Sequence, residues 1–105
     1  MTYRVRFSPE AVAQIEDLNS YISAVATPDI GVGYVEGVIQ HCEGLGVFPH
    51  RGTPRDDLRA GLRTTSYRKR VVIAFTVEEE TQQVTILGVY SGGQDYESRF
   101  SDPDE

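Results

Sequence analysis

The sequence predicts an α+β domain in which two helices pack on one face of a small sheet. Three observations predict it: a short alternating segment opens the chain, two apolar helical stripes follow, and three strand-like segments come after residue 61. An order of strand, two-helix antiparallel hairpin and three-stranded antiparallel meander is typical of a two-layer α+β fold.

The first half of the chain predicts one strand and two helices. Residues 3–7 alternate apolar and basic side chains, which is the period of a half-buried strand. Ser8 and Thr27 are each followed by a proline and an acidic residue, a combination typical of helix starts. Apolar residues then recur at three- and four-residue steps, so we expect helices at residues 9–25 and 29–46.

The second predicted helix has two features that need an explanation. Gly31, Gly33 and Gly37 each weaken it by up to about 1 kcal/mol relative to alanine. We expect close packing against the first helix to be the reason. Cys42 falls on the apolar stripe, which favours a core residue over a reactive thiol.

The second half of the chain predicts the meander. Residues 48–54 contain two prolines and a glycine, which indicates an irregular connection, with His50 as a loop residue rather than a catalytic base. Strands are expected at residues 62–67, 70–77 and 83–90. The acidic residues 78–82 are expected to form a hairpin turn, and residues 102–105 an acidic tail.

Composition narrows the class of protein. The 105 residues, 39% apolar and 25% charged, are expected to form one globular domain spanning residues 1–105. The longest apolar run, Val71 to Phe75, is far below the roughly 20 residues that span a bilayer, and no signal-peptide segment opens the chain. One cysteine and two histidines provide no disulfide and no cysteine-rich zinc site. We therefore expect a cytoplasmic protein without metal, cofactor or membrane partner.

Charge is strongly segregated along the chain. Residues 1–50 hold two arginines and six acids, residues 51–70 hold seven cations and two acids, and residues 71–105 hold one arginine and eight acids. A net charge of -6 argues against generic or direct sequence-specific nucleic-acid binding, because an acidic body repels phosphate. The basic segment at residues 51–70 is either a solvated face or a site for an anionic partner.

The predicted sheet has an outer face that the helices do not cover. Val72, Ala74, Leu87 and Val89 are expected to point to that face, away from the residues that face the helices. Such a patch is either exposed without function or covered by a segment of a partner protein.

Four segments resemble a known family in their order along nearly the whole chain. They are Val5-Arg6-Phe7-Ser8-Pro9-Glu10-Ala11, residues 48–63 with Gly61-Leu62-Arg63, residues 67–75, and Ile86-Leu87-Gly88-Val89-Tyr90 with Gly93-Gln94-Asp95-Tyr96. The set resembles the RelE/ParE superfamily of type II toxin-antitoxin toxins, and the ParE branch best. The resemblance implies a small bacterial growth-arrest toxin held inactive by a cognate antitoxin whose C-terminal segment wraps over it.

The resemblance implies one of two activities. RelE-like toxins cut mRNA on the ribosome, which requires cations at the scissile phosphate and a group that moves a proton. The candidates here are Arg63, Arg68, Lys69, Arg70 and Tyr90. However, the chain has no Lys or Arg between residues 70 and 99, where the RelE-like pattern places a further basic residue.

ParE-like toxins bind DNA gyrase and need no catalytic constellation. We therefore expect a DNA gyrase inhibitor with no catalytic residues, neutralised by a ParD-like antitoxin. The alternative is a ribosome-dependent mRNA endoribonuclease that uses Arg63, Arg70 and Tyr90.

Two sets of binding residues follow from these expectations. The four-residue spacing of the arginines at 51, 55 and 59 would align their guanidinium groups for carboxylates if residues 53–60 formed a helical turn. The predicted antitoxin-binding residues are Arg51, Arg55, Arg59, Arg63, Val72, Leu87 and Val89. The predicted target-binding residues are Tyr96, Arg99 and Phe100, an aromatic-arginine-aromatic set typical of binding hot spots if it is exposed.

Overall fold

The computed structural model describes residues 2–92 and 95–100. The strands are β1 (Arg4–Phe7), β2 (Thr53–Pro54), β3 (Leu62–Tyr67), β4 (Val71–Glu78) and β5 (Gln83–Ser91). The helices are α1 (Pro9–Val25), α2 (Pro28–Glu43) and α3 (Tyr96–Phe100). The predicted α+β order is confirmed. Gly93, Gln94 and the predicted acidic tail lie outside the described residues.

The five strands form one mixed sheet in the order β1-β5-β4-β3-β2. The predicted antiparallel meander is present, because β4 pairs antiparallel with both β3 and β5. β1 pairs parallel with β5, with Arg4 opposite Gln83 and Phe7 opposite Ile86. The connection expected to be irregular contains one short strand, β2, which pairs Thr53 with Thr64 at the other edge.

Both predicted helix caps are present. The Ser8 hydroxyl accepts the Ala11 N–H at 3.1 Å, and the Thr27 hydroxyl accepts the Ile30 N–H at 3.2 Å. α2 ends at Glu43 rather than at residue 46, and a 3-10 turn over Gly44–Gly46 continues it. The two glycines in this segment have low helix propensity, which accounts for the earlier end.

The main core lies between the two long helices and the sheet. Its buried members are Ala11, Ile15, Leu18, Val35, Val38, Cys42, Leu45, Val71, Ile73, Phe75, Val84, Ile86 and Val89. Complete burial of one such aliphatic or aromatic side chain contributes about 1.5–3 kcal/mol. Cys42 is among them, as predicted, and its burial raises the pKa of its thiol to about 12.

A register shift in the β4–β5 pairing corrects one prediction. Ala74 pairs with Gly88, but Phe75 pairs with Ile86, so Leu87 is an extra residue in β5. Because a bulge reverses the alternation of side chains beyond it, Val89 faces the helices and is only 3% exposed. The prediction that Val89 lies on the outer face is wrong.

A second core covers part of the outer face. Leu62, Ala74, Tyr90 and Phe100 are buried there, with Leu58, Leu87 and Tyr96 packed against them. The chain therefore covers this face with α3 and the segment before β3. Ala74 lies on the outer face as predicted, but the chain itself covers it. The predicted exposure of Phe100 is wrong, because its side chain is 7% exposed. Val72 and Leu87 are half-buried.

Candidate functional site

The basic segment does not form a single row of guanidinium groups. Residues 53–60 begin as β2, and only one helical turn follows, in which the Arg59 N–H contacts the Arg55 carbonyl at 3.2 Å. Arg51 lies over the Phe48 ring, 5.3 Å from its centroid. The prediction of one aligned row is wrong, because Arg51 lies outside the turn that positions the other two arginines.

Arg55 and Arg59 contact α3 of their own chain. The Arg55 guanidinium donates to Asp57 at 2.9 and 3.0 Å, to Glu97 at 3.1 Å and to the Tyr96 hydroxyl at 2.7 Å. These bonds, those to Asp57 first, raise the pKa of Arg55 above its ordinary value. Arg59 lies over the ring of Phe100 at 5.0 Å. A partner that used these two cations would compete with α3.

Arg63 fastens the loop that precedes β2. Its guanidinium donates to the backbone carbonyls of His50, of Arg51 at 3.2 Å and of Gly52 at 3.5 Å. Gly52 has φ +88°, and a Cβ there would meet the Thr64 carbonyl oxygen at 2.3 Å, so this turn requires glycine. The Nε and Nη2 donors of Arg63 are therefore used within the chain.

The candidate nuclease residues are not assembled at one place. Arg70 is exposed at the end of the β3–β4 turn, on the side of the sheet that carries the helices. Tyr90 packs into the second core on the opposite side, with the Phe100 ring at 6.1 Å and the Tyr96 ring at 6.0 Å. Burial raises the pKa of the Tyr90 hydroxyl. With Arg63 bound to loop carbonyls, the expected phosphate clamp and proton donor are separated.

A groove that sequence reasoning missed lies between the helical hairpin and the β3–β4 turn. It has a volume of about 600 Å³. Its lining residues are Leu18, Tyr21, Ile22, Tyr34, Lys69, Arg70, Val71, Ser91 and Gly92. Tyr21 is 66% exposed, which is high for a large aromatic residue. We call this feature the hairpin groove; it combines an apolar floor with a cationic rim.

The rim of the hairpin groove is formed by a strained turn. Arg68 and Lys69 have φ values of 53° and 59°, and the Arg70 N–H closes the turn on the Tyr67 carbonyl at 3.1 Å. This left-handed conformation costs non-glycine residues about 1–2 kcal/mol each. The Arg68 guanidinium lies over the rings of Tyr34 and Tyr67. The sequence signal was present, because the predicted strands left only residues 68 and 69 for a turn.

A polar cluster joins the start of the chain to two loops. His50 pairs with Glu79, and the Tyr3 hydroxyl donates to the other carboxylate oxygen of Glu79 at 2.6 Å. The bond from Tyr3 first, and that from His50 second, lower the pKa of Glu79 below its ordinary value of 4.5. The cluster is exposed. Within residues 2–92 and 95–100, no three His, Cys, Asp or Glu side chains are grouped to hold a metal ion.

No helix in the part of the chain that the structure describes is long and apolar enough to span a membrane.

Solved structures of toxin-antitoxin proteins have a similar fold. The chain is similar to one in the chromosomal ParDE system from P. aeruginosa, with a TM-score of 0.74, 15% identity, and coverage of 86% of this chain and 96% of that one. It is similar to one in the toxin-antitoxin complex RelBE2 from Mycobacterium tuberculosis, with a TM-score of 0.66, 22% identity, and coverage of 90% and 95%. It is also similar to a double arginine-to-alanine variant of E. coli toxin RelE in the free state. The TM-score is 0.67 and the sequence identity is 13%, with coverage of 96% of this chain and 95% of that one.

Sequence comparison identifies the family. Curated proteins give no significant match. The family model for the ParE toxin of the type II toxin-antitoxin system, parDE, matches residues 5–96. That match spans most of the chain and includes the helical hairpin and the whole meander. The chain therefore belongs to the ParE toxin family of type II toxin-antitoxin systems.

Proposed function

We propose that this toxin inhibits DNA gyrase by binding it, and that a ParD-like antitoxin neutralises the toxin. The observation that carries the proposal is the separation of Arg63, Arg70 and Tyr90. Arg63 is bound to loop carbonyls, while Arg70 and Tyr90 lie on opposite sides of the sheet. General acid-base catalysis requires its groups within hydrogen-bond reach of the reacting atoms. This arrangement favours an inhibitor that acts through its surface.

The antitoxin segment is proposed to occupy the hairpin groove. Leu18, Ile22 and Val71 provide an apolar floor, and Lys69 and Arg70 provide positive charge at the rim. An amphipathic segment with acidic residues beside its apolar face complements both features. Burial of apolar side chains would supply affinity at roughly 25 cal/mol per Å², and the cations would supply salt-sensitive association.

Two of the predicted antitoxin-binding residues lie outside the hairpin groove, and we propose that they too contact the antitoxin. Val72 and Leu87 are half-buried on the outer face, beside the second core, where a continuing antitoxin segment can reach them. Val89 is removed from the proposal because it faces the main core.

Contact with gyrase is proposed at the exposed side of α3. The Arg99 side chain is 56% exposed, and Tyr96 is half-buried, so both can contact a partner. Phe100 supports this side of α3 from beneath, because it is buried against Tyr90.

The experiment is induction of the toxin in cells, alone and with the antitoxin encoded beside it. Detergent-trapped cleaved DNA and the 5′ ends of mRNA are measured in the same cultures. Wild-type toxin is expected to arrest growth with trapped DNA and without new mRNA cuts. Arg70→Gln should remain toxic but be neutralised less well, because the rim of the groove loses a cation. Arg6→Gln, which removes an exposed arginine from β1, is the matched control and should behave as wild type.

The nuclease alternative predicts a different pattern. Cuts in ribosome-bound mRNA, lost together with toxicity in both Arg63→Gln and Arg70→Gln, would contradict the gyrase proposal.

A further inference from the structure

A second cleft lies on the side of the sheet opposite the hairpin groove, beside the first turn of α1. Its volume is about 430 Å³, within the range of small-molecule sites. Its lining residues are Ser8, Pro9, Glu10, Arg59, Leu87, Tyr90, Arg99 and Phe100. We call it the α1–α3 cleft, because it brings the start of α1 next to the end of α3.

The cleft contains a buried hydroxyl that makes no hydrogen bond of ordinary geometry to any residue the structure describes. Tyr90 is 5% exposed, and its hydroxyl is inaccessible to water. Such groups are rare in folded proteins, because an unsatisfied buried donor loses its bonds to water without compensation. Gln14 lies close enough to lower the pKa of this hydroxyl, but the polar atoms of its side chain are bonded elsewhere. Its oxygen accepts the Val89 N–H at 2.6 Å, and its nitrogen donates to Glu10 at 3.4 Å.

Positive charge converges on the same place from three elements. Arg59 comes from the turn before β3, Arg99 comes from α3, and the 17-residue helix α1 directs the positive end of its dipole at the cleft. Glu10, Arg59 and Arg99 line the cleft together with Tyr90. Burial first and the Gln14 side chain second act on the pKa of Tyr90, and the charges of these three residues act on it as well.

Among the described residues that line the cleft, Glu10 is the one that carries a carboxylate. It pairs with Arg99, and the two side chains are 41% and 56% exposed. An exposed ion pair contributes little to stability and can be exchanged for another anion. The Glu10 carboxylate thus occupies the position where an external anion would meet Arg99.

We propose that the α1–α3 cleft binds a phosphate group through the guanidinium groups of Arg59 and Arg99 and the hydroxyl of Tyr90, and that Glu10 is its internal competitor. A phosphate has oxygens in a tetrahedral arrangement, so one group can accept from three donors that approach from different elements. A carboxylate has two oxygens in one plane and matches a single guanidinium best. The site is separate from the hairpin groove and does not depend on the gyrase proposal.

The test is a titration of the isotopically labelled full chain with inorganic phosphate, followed by NMR. The amides of residues 8–11 and the side-chain N–H groups of Arg59 and Arg99 are expected to shift and saturate together. Arg59→Gln and Arg99→Gln should each weaken binding about tenfold, since each removes a charged hydrogen-bond donor. Tyr90→Phe should weaken it without unfolding the chain, because the ring is retained, and Glu10→Gln should strengthen it.

The matched control is Arg51→Gln. It removes one cation from the same basic segment, and Arg51 likewise lies over an aromatic ring, but outside the cleft. Phosphate affinity should be unchanged. Equal weakening by Arg51→Gln, equal affinity for acetate, or no saturable response to phosphate would each overturn the proposal.

Two further ligands identify the source of the phosphate. Uridine 5′-monophosphate carries a terminal phosphate, and a dinucleotide without a terminal phosphate carries one internal phosphodiester. Saturable binding of phosphate and the monophosphate alone supports a free or terminal phosphate as the ligand. Binding of the dinucleotide at the same residues supports a phosphate of a nucleic-acid backbone.

Discussion

Gly31 and Gly37 let two different elements approach the backbone of α2. A Cβ at Gly31 would meet the Ser23 hydroxyl of α1 at 2.3 Å, whereas a Cβ at Gly37 would meet the Tyr67 hydroxyl of β3 at 2.1 Å. A Cβ at Gly33 would meet nothing within 4 Å. The predicted contact with the first helix therefore explains Gly31 alone. Gly37 serves the sheet, and nothing in the structure explains Gly33.

These three environments give a matched pair of substitutions. Gly37→Ala should lower the free energy of unfolding by about 1–3 kcal/mol, because the Tyr67 ring must move from its contact with Tyr34. Gly33→Ala should raise it by up to about 1 kcal/mol through helix propensity. Denaturant titration measures both. Equal effects of the two substitutions on the free energy of unfolding would contradict the prediction, because they would show that helix propensity and not the contact with Tyr67 determines the result at Gly37.

Glu79 gives a prediction about pH. Because its pKa is lowered in the folded chain, its carboxylate stabilises the fold above the ordinary pKa of 4.5, and this contribution is lost as pH falls through the lowered value. Glu79→Gln should therefore reduce the loss of thermal stability below pH 4.5. Glu80→Gln makes the same charge change in the same turn and should retain the wild-type pH profile. A wild-type profile in Glu79→Gln would contradict a stabilising role for the Tyr3–Glu79–His50 cluster.

At the scale of the element, the β3–β4 turn combines backbone strain with positive charge. The connection spans residues 68–70, and its first two positions have positive φ. Turns that need positive φ at two successive positions favour Asn-Gly. Arg68 and Lys69 occupy them instead, and Arg68 recovers part of the cost by stacking on two tyrosine rings. Strain retained in a fold is a reason to expect function at that position.

Replacing the turn tests that expectation. The double substitution Arg68→Asn and Lys69→Gly should stabilise the toxin by about 1 kcal/mol, the relieved strain minus the lost stacking. It should also weaken antitoxin binding roughly tenfold at low salt, because Lys69 leaves the rim of the hairpin groove and Arg68 leaves the turn beside it. Calorimetry and denaturant titration measure the two effects. Replacing Arg4 and Arg6 on β1 with glutamine removes the same charge from the opposite sheet edge and should leave affinity unchanged.

At the scale of the whole molecule, local signals predicted well and tertiary contacts did not. The hydroxyls of Ser8 and Thr27 each accept from an N–H only three residues further along the chain, so the helix starts could be predicted from the local sequence. The burial of Val89 could not be predicted, because a bulge opposite Ala74 and Phe75 turns its side chain toward the helices. Phe100 lies in a five-residue helix, too short to show a period, and its partner Tyr90 lies in a different element, ten residues earlier. The sequence shows only that Arg63 is positively charged. Its hydrogen bonds to the backbone carbonyls of residues 50–52 depend on the folded loop, so they could not be predicted.

The central claim is that the toxin acts on gyrase as a binding protein and not as an enzyme. The most direct measurement is the accumulation of cleaved plasmid DNA when purified toxin is titrated into gyrase, ATP and plasmid, and the reaction is stopped with detergent and protease. We predict linear DNA that rises until toxin and gyrase are stoichiometric, and that disappears when antitoxin is added first. Unchanged gyrase activity at a molar excess of folded toxin, together with mRNA cuts when the same preparation is added to translating ribosomes, would contradict this account.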